Sequence, residues 1–175
     1  MQSNANYNAV KEYSFSSEKN GEPVTKEQAK SWMRITNNDE DTDIENLIIA
    51  ARSIIENYLN KSIIKRTVTA VLTNRCGNIE LPFQPFEELV SITDADGNAI
   101  TSYTLSGDKY KRLLLPECDN IKVVYKAGIG IDNVPQVIKN AIMAQVAFMY
   151  VNRGDDNSGK GICPTAKQFL STERR

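Results

Sequence analysis

The sequence predicts an α+β protein: a mainly helical core, built from a helix–loop–helix pair and a C-terminal helix, with an antiparallel β segment inserted at about 63–126. Three observations carry that expectation. Apolar residues recur at helical spacing from Thr42 to Leu59, the period shortens to two after Ser62, and a second apolar helix begins after Pro135.

The helix at 42–59 is the organising element. Ile44, Leu47, Ile48, Ala51, Ile54, Ile55, Tyr58 and Leu59 form one stripe, and Glu45, Asn46, Arg52, Ser53, Glu56 and Asn57 lie opposite. Thr42 and Glu45 have capping-box spacing, Asp39 to Asp43 favour the positive end of the helix dipole, and Asn60 suits a left-handed cap. At about 1.5 Å per residue such a rod is roughly 27 Å long. Ile49 falls off the stripe and needs a second surface to cover it.

Residues 1–22 are polar and read as a flexible extension, either a solvated tail or one that docks a partner through Tyr7, Tyr13 and Phe15. Thr25 and Gln28 form a capping box that opens a short helix with Ala29, Trp32 and Met33 on its apolar side, ending near Arg34. Strands are predicted at 67–73, 79–81, 89–93, 99–105, 110–115 and 121–125, with Asp94–Asn98 as a hairpin turn. Pro82 and Pro85 lack the donor N–H of a central ladder and interrupt the set. The helix from Val137 to Val151 is apolar almost all round, so it lies at the centre of the fold or under another subunit. Residues 154–175 read as a flexible linker followed by a tail carrying Phe169 and Leu170.

A chain of 175 residues, with 21 basic and 22 acidic side chains, is long enough for one substantial core and carries no strong field for nucleic acid or anionic lipid. No apolar run approaches the ~20 residues of a membrane span. Three dispersed cysteines, Cys76, Cys118 and Cys163, make neither a disulfide framework nor a zinc cluster and suit a reducing compartment. Histidine is absent. That removes Ser-His-Asp and Cys-His catalysis and leaves an enzyme only carboxylates, lysines or cysteines to work with.

The motifs that resemble chemistry have simpler explanations. Gly154 to Gly161 reads G-x-x-x-x-G-K-G, but a phosphate loop needs Ser or Thr where Gly161 stands, and a strand before it. Asp94-x-Asp96-Gly97 has its glycine too early for a calcium loop and lacks the distal Glu. Lys109, Lys111 and Arg112 enclose a single aromatic, Tyr110, too little for a nucleic-acid stacking platform. No catalytic, metal or cofactor site is expected.

Beyond these, Pro23-Val24-Thr25 with Ala29-Lys30-Ser31-Trp32-Met33-Arg34-Ile35 resembles the opening of the tailed-phage head–tail connector (adaptor) family. The similarity continues through Asp41, Leu47 to Arg52, Ile55 to Leu59, Ile79-Glu80-Leu81-Pro82 with Pro85, Val123 to Gly128, Val134 to Ile142 and Tyr150 to Arg153. It covers 23–153, departing at Trp32-Met33 and at Asn60-Lys61. The resemblance implies a structural virion protein, assembled in the bacterial cytoplasm, that forms a homo-oligomeric ring at the head–tail junction. Its partners would be further copies of itself, the portal, a tail or stopper protein, and DNA passing through the channel without sequence readout. Ile49, Phe83 and Phe86 are the candidate subunit contacts. Pro164, Phe169 and Leu170 are the candidate portal-docking residues, the other reading being a frayed end. The rival functions are a tail-completion or terminator ring, a nucleic-acid-binding module and a carboxylate enzyme.

Overall fold

The computed structural model describes residues 10–17, 21–74, 78–108, 111–116, 118–154 and 161–173. They fall into two compact units, a β unit of Met1–Lys19 with Ile64–Ile129 and a helical unit of Asn20–Ile63 with Gly130–Arg175.

The helical unit contains α1 (Lys26–Met33), α2 (Asp41–Leu59), α3 (Gln136–Val151) and α4 (Pro164–Phe169). The Thr25–Gln28 capping box opens α1, and Arg34 closes it in the left-handed conformation. Ile44, Ile48, Ala51, Ile55 and Leu59 of α2 are buried as their spacing predicts, and Asn60 provides the left-handed cap. The second capping box does not form. Helix α2 begins at Asp41 behind Glu40, which makes no cap bond because Tyr150 and Arg153 engage its carboxylate. Thr42 is already inside the first turn.

Helix α3 is the centre of this unit. It packs against α1, α2 and α4, with Ile138, Ala141, Ile142 and Val146 almost fully buried. Of the two readings of its apolar circumference, the central position is the one observed. At its N-terminal side, the N–H of Gly130 donates to the Ile63 carbonyl at 3.1 Å.

The β unit has a four-stranded antiparallel sheet in the order β1 (Val10–Ser17), β2 (Arg66–Asn74), β7 (Cys118–Ala127), β4 (Phe86–Thr93). A three-stranded sheet pairs β3 (Asn78–Glu80), β6 (Arg112–Leu114) and β5 (Thr104–Ser106). Alternate residues Val68, Ala70 and Leu72 of β2 meet Ile121, Val123 and Tyr125 of β7 in a core closed by Ile79, Leu81, Ile92 and Leu113. The β segment is thus a unit with its own core, more than an insertion decorating the helices. The expected strand at 99–105 shrinks to a bridge from Thr93 to Ala99 and the short β5. Alternation there is too weak to bury a side: Thr101, Ser102 and Tyr103 are all exposed.

Strand β1 falls within 1–22, where the sequence reading has only a flexible extension. The alternation Tyr13-Ser14-Phe15-Ser16 is the signal overlooked, because both neighbours of each aromatic are polar and the side chains described there, Glu12 to Ser16, are all exposed. Pro82 to Pro85 interrupts the strands as predicted, with the Gln84–Pro85 bond cis and Phe83 at φ 53°. The Tyr125 hydroxyl donates to the Pro82 carbonyl, and burial pushes its phenol well above the ordinary value. Gly128 is required by close packing. Its φ is 142°, its N–H donates to the Pro85 carbonyl at 3.0 Å, and a Cβ there would lie 2.3 Å from the Ile64 oxygen.

Candidate interaction surfaces

The most highly organised polar feature is a pin inside the helical unit. Arg52 and Glu56 lie on the predicted solvent side of α2, yet they are 8% and 2% exposed. Arg52 grips Glu22 through two bonds of 2.7 and 3.1 Å and donates to Glu56 Oε2 at 2.7 Å. Glu56 Oε1 accepts the N–H of Ile63 at 2.7 Å. Burial by itself would lower the Arg52 pKa, but the bond from Glu22 and the charges of both carboxylates outweigh it and raise the guanidinium. The pin ties the segment before α1 and the segment after α2 to the long helix. It is a structural tie in which each guanidinium nitrogen is engaged by a carboxylate. Sequence periodicity missed it because an i, i+4 Arg–Glu pair reads as a solvated face until Glu22 is brought over it.

Two shallow grooves flank α1. One, of about 340 Å³, is lined by Glu22, Val24, Thr25, Lys26, Glu27, Glu45, Ile48 and Ile49. The other, of about 520 Å³, is lined by Glu27, Gln28, Ser31, Trp32, Gln136, Lys139 and Met143. Ile49 is 47% exposed and Trp32 44%, so each groove carries one large apolar side chain open to water. Ion pairs hold several charges beside α1. Lys26 bridges Asp41 and Glu45 at 3.0 Å each, which holds its amine well above the usual range, the Glu45 bond contributing most. Lys30 donates to Asp41 at 2.7 Å and to Asn38 at 2.6 Å. The bonds from Lys30 and then Lys26 hold the Asp41 carboxyl below its ordinary value. Where α3 ends, Arg153 lies 2.5 Å from Glu40 and stacks 4.2 Å over the Tyr150 ring, and the Tyr150 hydroxyl donates to the same carboxylate. Those bonds, from Arg153 first, likewise depress Glu40.

The candidate contact residues separate into exposed and buried groups. Ile49 is at the surface as expected. Phe86 is half-buried and stacks on Tyr125 with 6.1 Å between ring centres. Phe83 is 6% exposed and belongs to the β core, so it offers little surface; the left-handed backbone at this position turns the ring under Tyr13 and Phe15. At the C-terminus, Pro164 is exposed, Phe169 half-buried and Leu170 fully buried. Leu170 is therefore a core residue of the helical unit and unavailable for docking. The tail folds because Cys163 and Ala166 join Leu170 in the core, and the buried Gln145 amide accepts the Cys163 N–H at 2.7 Å and donates to the Gly161 carbonyl at 3.2 Å. Lys61 adds a bond of 2.7 Å to the Glu173 carbonyl. The lysine of the G-x-x-x-x-G-K stretch, Lys160, lies outside the described residues, as do Lys109 and Tyr110. Asp94 accepts from the N–H groups of Asp96 and Asn98 at 3.0 and 2.8 Å, which is the turn predicted for it. Among the described residues no cluster of three or more Cys, Asp or Glu is placed to hold a metal ion, and no helix is long and apolar enough to cross a membrane.

Residues 22–162 match the head completion protein family. The chain belongs to that family. Solved structures of gene transfer agent (GTA) particles share the fold. A chain from the neck of an empty GTA particle, computed with C6 symmetry, superposes with a TM-score of 0.74 at 20% identity, over 93% of this chain and 95% of that one. One from the virion of a native gene transfer agent particle gives 0.69 at 19% identity, over 91% and 94%. A chain from the neck of a native GTA particle, computed with C12 symmetry, gives 0.62 at 19% identity, over 83% and 87%. No curated protein matches the chain. As a head completion protein it is a structural component of the virion, a connector or completion protein of the head–tail junction.

Proposed function

We propose that this head completion protein closes into a homo-oligomeric ring between the portal and a tail or stopper protein, extending the channel through which DNA passes. Ring closure needs two different complementary faces on each copy. The exposed Ile49 carries the reading. It sits on the best-formed helix of the protein, 47% exposed in a groove with Val24 and Ile48, where an isolated subunit gains nothing from an isoleucine. Trp32 gives the second groove beside α1 an exposed apolar side chain of its own. The opposing face is assigned to the β unit, where Val90, Tyr103 and Leu114 are exposed and Phe86 is half-buried. The net charge of −1 suits a passage in which DNA must not stick. Pro164 and Phe169 of α4 remain the surface proposed for the portal. The chain acts without catalysis in this reading, which the structural nature of its family supports. The family's description also favours the head side of the junction over a tail-terminator ring.

The test is the mass of the purified chain alone and mixed with its portal, for the parent and for Ile49→Asp. The expected result is a multi-subunit ring for the parent and, for Ile49→Asp, a folded chain of unchanged helicity that fails to assemble. Full ring formation by Ile49→Asp would remove that face from the interface. Absence of any ring with the portal present would overturn the reading itself.

A further inference from the structure

Strand β1 is held to its sheet without contributing to the core. Every side chain described along it, Glu12 to Ser16, is exposed. Among the described residues it pairs on one side only, with β2, from Val10 opposite Leu72 to Ser17 opposite Arg66. Two rings reinforce that ladder. Tyr13 and Phe15 lie 4.9 and 4.8 Å from the ring of Phe83, and the Arg66 guanidinium stands 4.3 Å over Phe15. Beneath the strand is a platform complete in itself: the edge of β2, the Phe83 ring and the Arg66 guanidinium. Its shape selects an extended segment with aromatics at alternate positions.

The covalent chain does not oblige that segment to be the copy's own. Ser17 and its partner Arg66 are separated by 20–63, the whole first part of the helical unit. Strand β1 also lies outside the 22–162 span of the family match. We propose that β1 is an exchangeable strap, which in the assembled ring seats on the β2 edge of the neighbouring copy. This inference rests on the ring reading above. The contacts made are the same in both states, so exchange costs no specific interaction. A free chain in dilute solution closes on itself, because that step is unimolecular. In a ring, an identical β2 edge is held nearby at an effective concentration on the order of millimolar, and a strap laid across the boundary also resists loss of a subunit.

Ser14 and Thr69 are register partners across the β1–β2 ladder, and paired positions of this kind lie within disulfide reach. The variant Ser14→Cys/Thr69→Cys is oxidised in two states, as the purified chain alone and assembled on portal-bearing heads, with the parent chain as control for Cys76, Cys118 and Cys163. The expected result on a non-reducing gel is an internally linked single chain in the first state and a ladder of linked chains in the second. Rings that yield only internally linked single chains overturn the exchange. Absence of linkage in both states overturns the seating of β1 on β2 and the proposal with it. A chain whose mass shows no ring removes the ring reading first, an outcome seen before any oxidant is added.

Discussion

Replacing Arg52 by Met tests whether the buried pin holds the helical unit together. The substitution keeps most of the aliphatic stem and deletes the guanidinium. Glu56, 2% exposed, then keeps the Ile63 N–H but loses its 2.7 Å bond to a cation, and Glu22 loses both of its bonds to Arg52. Breaking a buried ion pair on one side costs about 3–5 kcal/mol. At about 2–4 °C per kcal/mol for a chain of this size, the melting temperature should fall by roughly 6–20 °C. The double variant Arg52→Met/Glu56→Leu removes both buried charges and leaves the Ile63 N–H without its acceptor, a loss of about 1–3 kcal/mol. It should therefore be more stable than Arg52→Met alone. Urea denaturation followed by far-UV circular dichroism, on parent, both single variants and the double, gives the coupling energy directly. A loss below about 1 kcal/mol for Arg52→Met, or a double variant less stable than Arg52→Met, would refute the account of the pin as a coupled unit.

Three further outcomes follow from the packing. Gly128→Ala should destabilise the β unit by about 1–3 kcal/mol, because φ is 142° and the new Cβ meets the Ile64 carbonyl; Gly97→Ala, with a similarly positive φ but open space, should cost less in the same thermal melt. Leu170→Ala should cost about 2–5 kcal/mol, measured by denaturation, since the side chain is fully buried; a variant as stable as the parent would put the tail back outside the core. Asp41 and Glu40 have depressed pKa values, so their contributions are complete above the ordinary carboxylate range of about 4 and are lost as pH falls through the lower folded values. Helicity should decline on acidification below about pH 4, and Asp41→Asn should flatten that decline; an identical acid limb in the variant would show that other carboxylates govern it.

Helices α1, α2 and α3 were legible from apolar residues at helical spacing and from recognisable ends. Thr25–Gln28 and Asn60 work as capping signals because each stands at the residue where its helix begins or ends. Thr42–Glu45 fails because Glu45 is drawn to Lys26 and the helix starts two residues earlier than the box requires. The β unit was legible as strands but not as a separate core, since the pairing of β2 with β7 spans a long stretch of intervening chain that no local pattern encodes. Ile49 was found from its break with the stripe. Arg52 and Glu56 were placed on the wrong side, since periodicity assigns charge to solvent and cannot see Glu22 arriving from another segment. The burial of Leu170 was missed for the complementary reason: the other buried residues of the tail are a cysteine and an alanine, which give it no apolar stripe.

The pairing of Arg66 with Ala127 at the start of β2 and the end of β7 has an evolutionary consequence. Paired residues of an antiparallel ladder stand about 4.5–5.5 Å apart, so the 66–127 part of the β unit, which holds all its strands except β1, leaves the chain almost where it joins it. On the helical side the severed ends would also meet, because Gly130 already donates to Ile63. A segment whose two ends are neighbours can be lengthened, shortened or transplanted with little effect on the helices that carry it. Recombination among phages could therefore exchange 66–127 as a cassette, altering what the junction presents to its neighbours while α1, α2 and α3 keep their packing. A chain with that cassette replaced by a two-residue bridge, and with β1 removed because its partner β2 goes with the cassette, should retain the helical signal and melt of the helical unit.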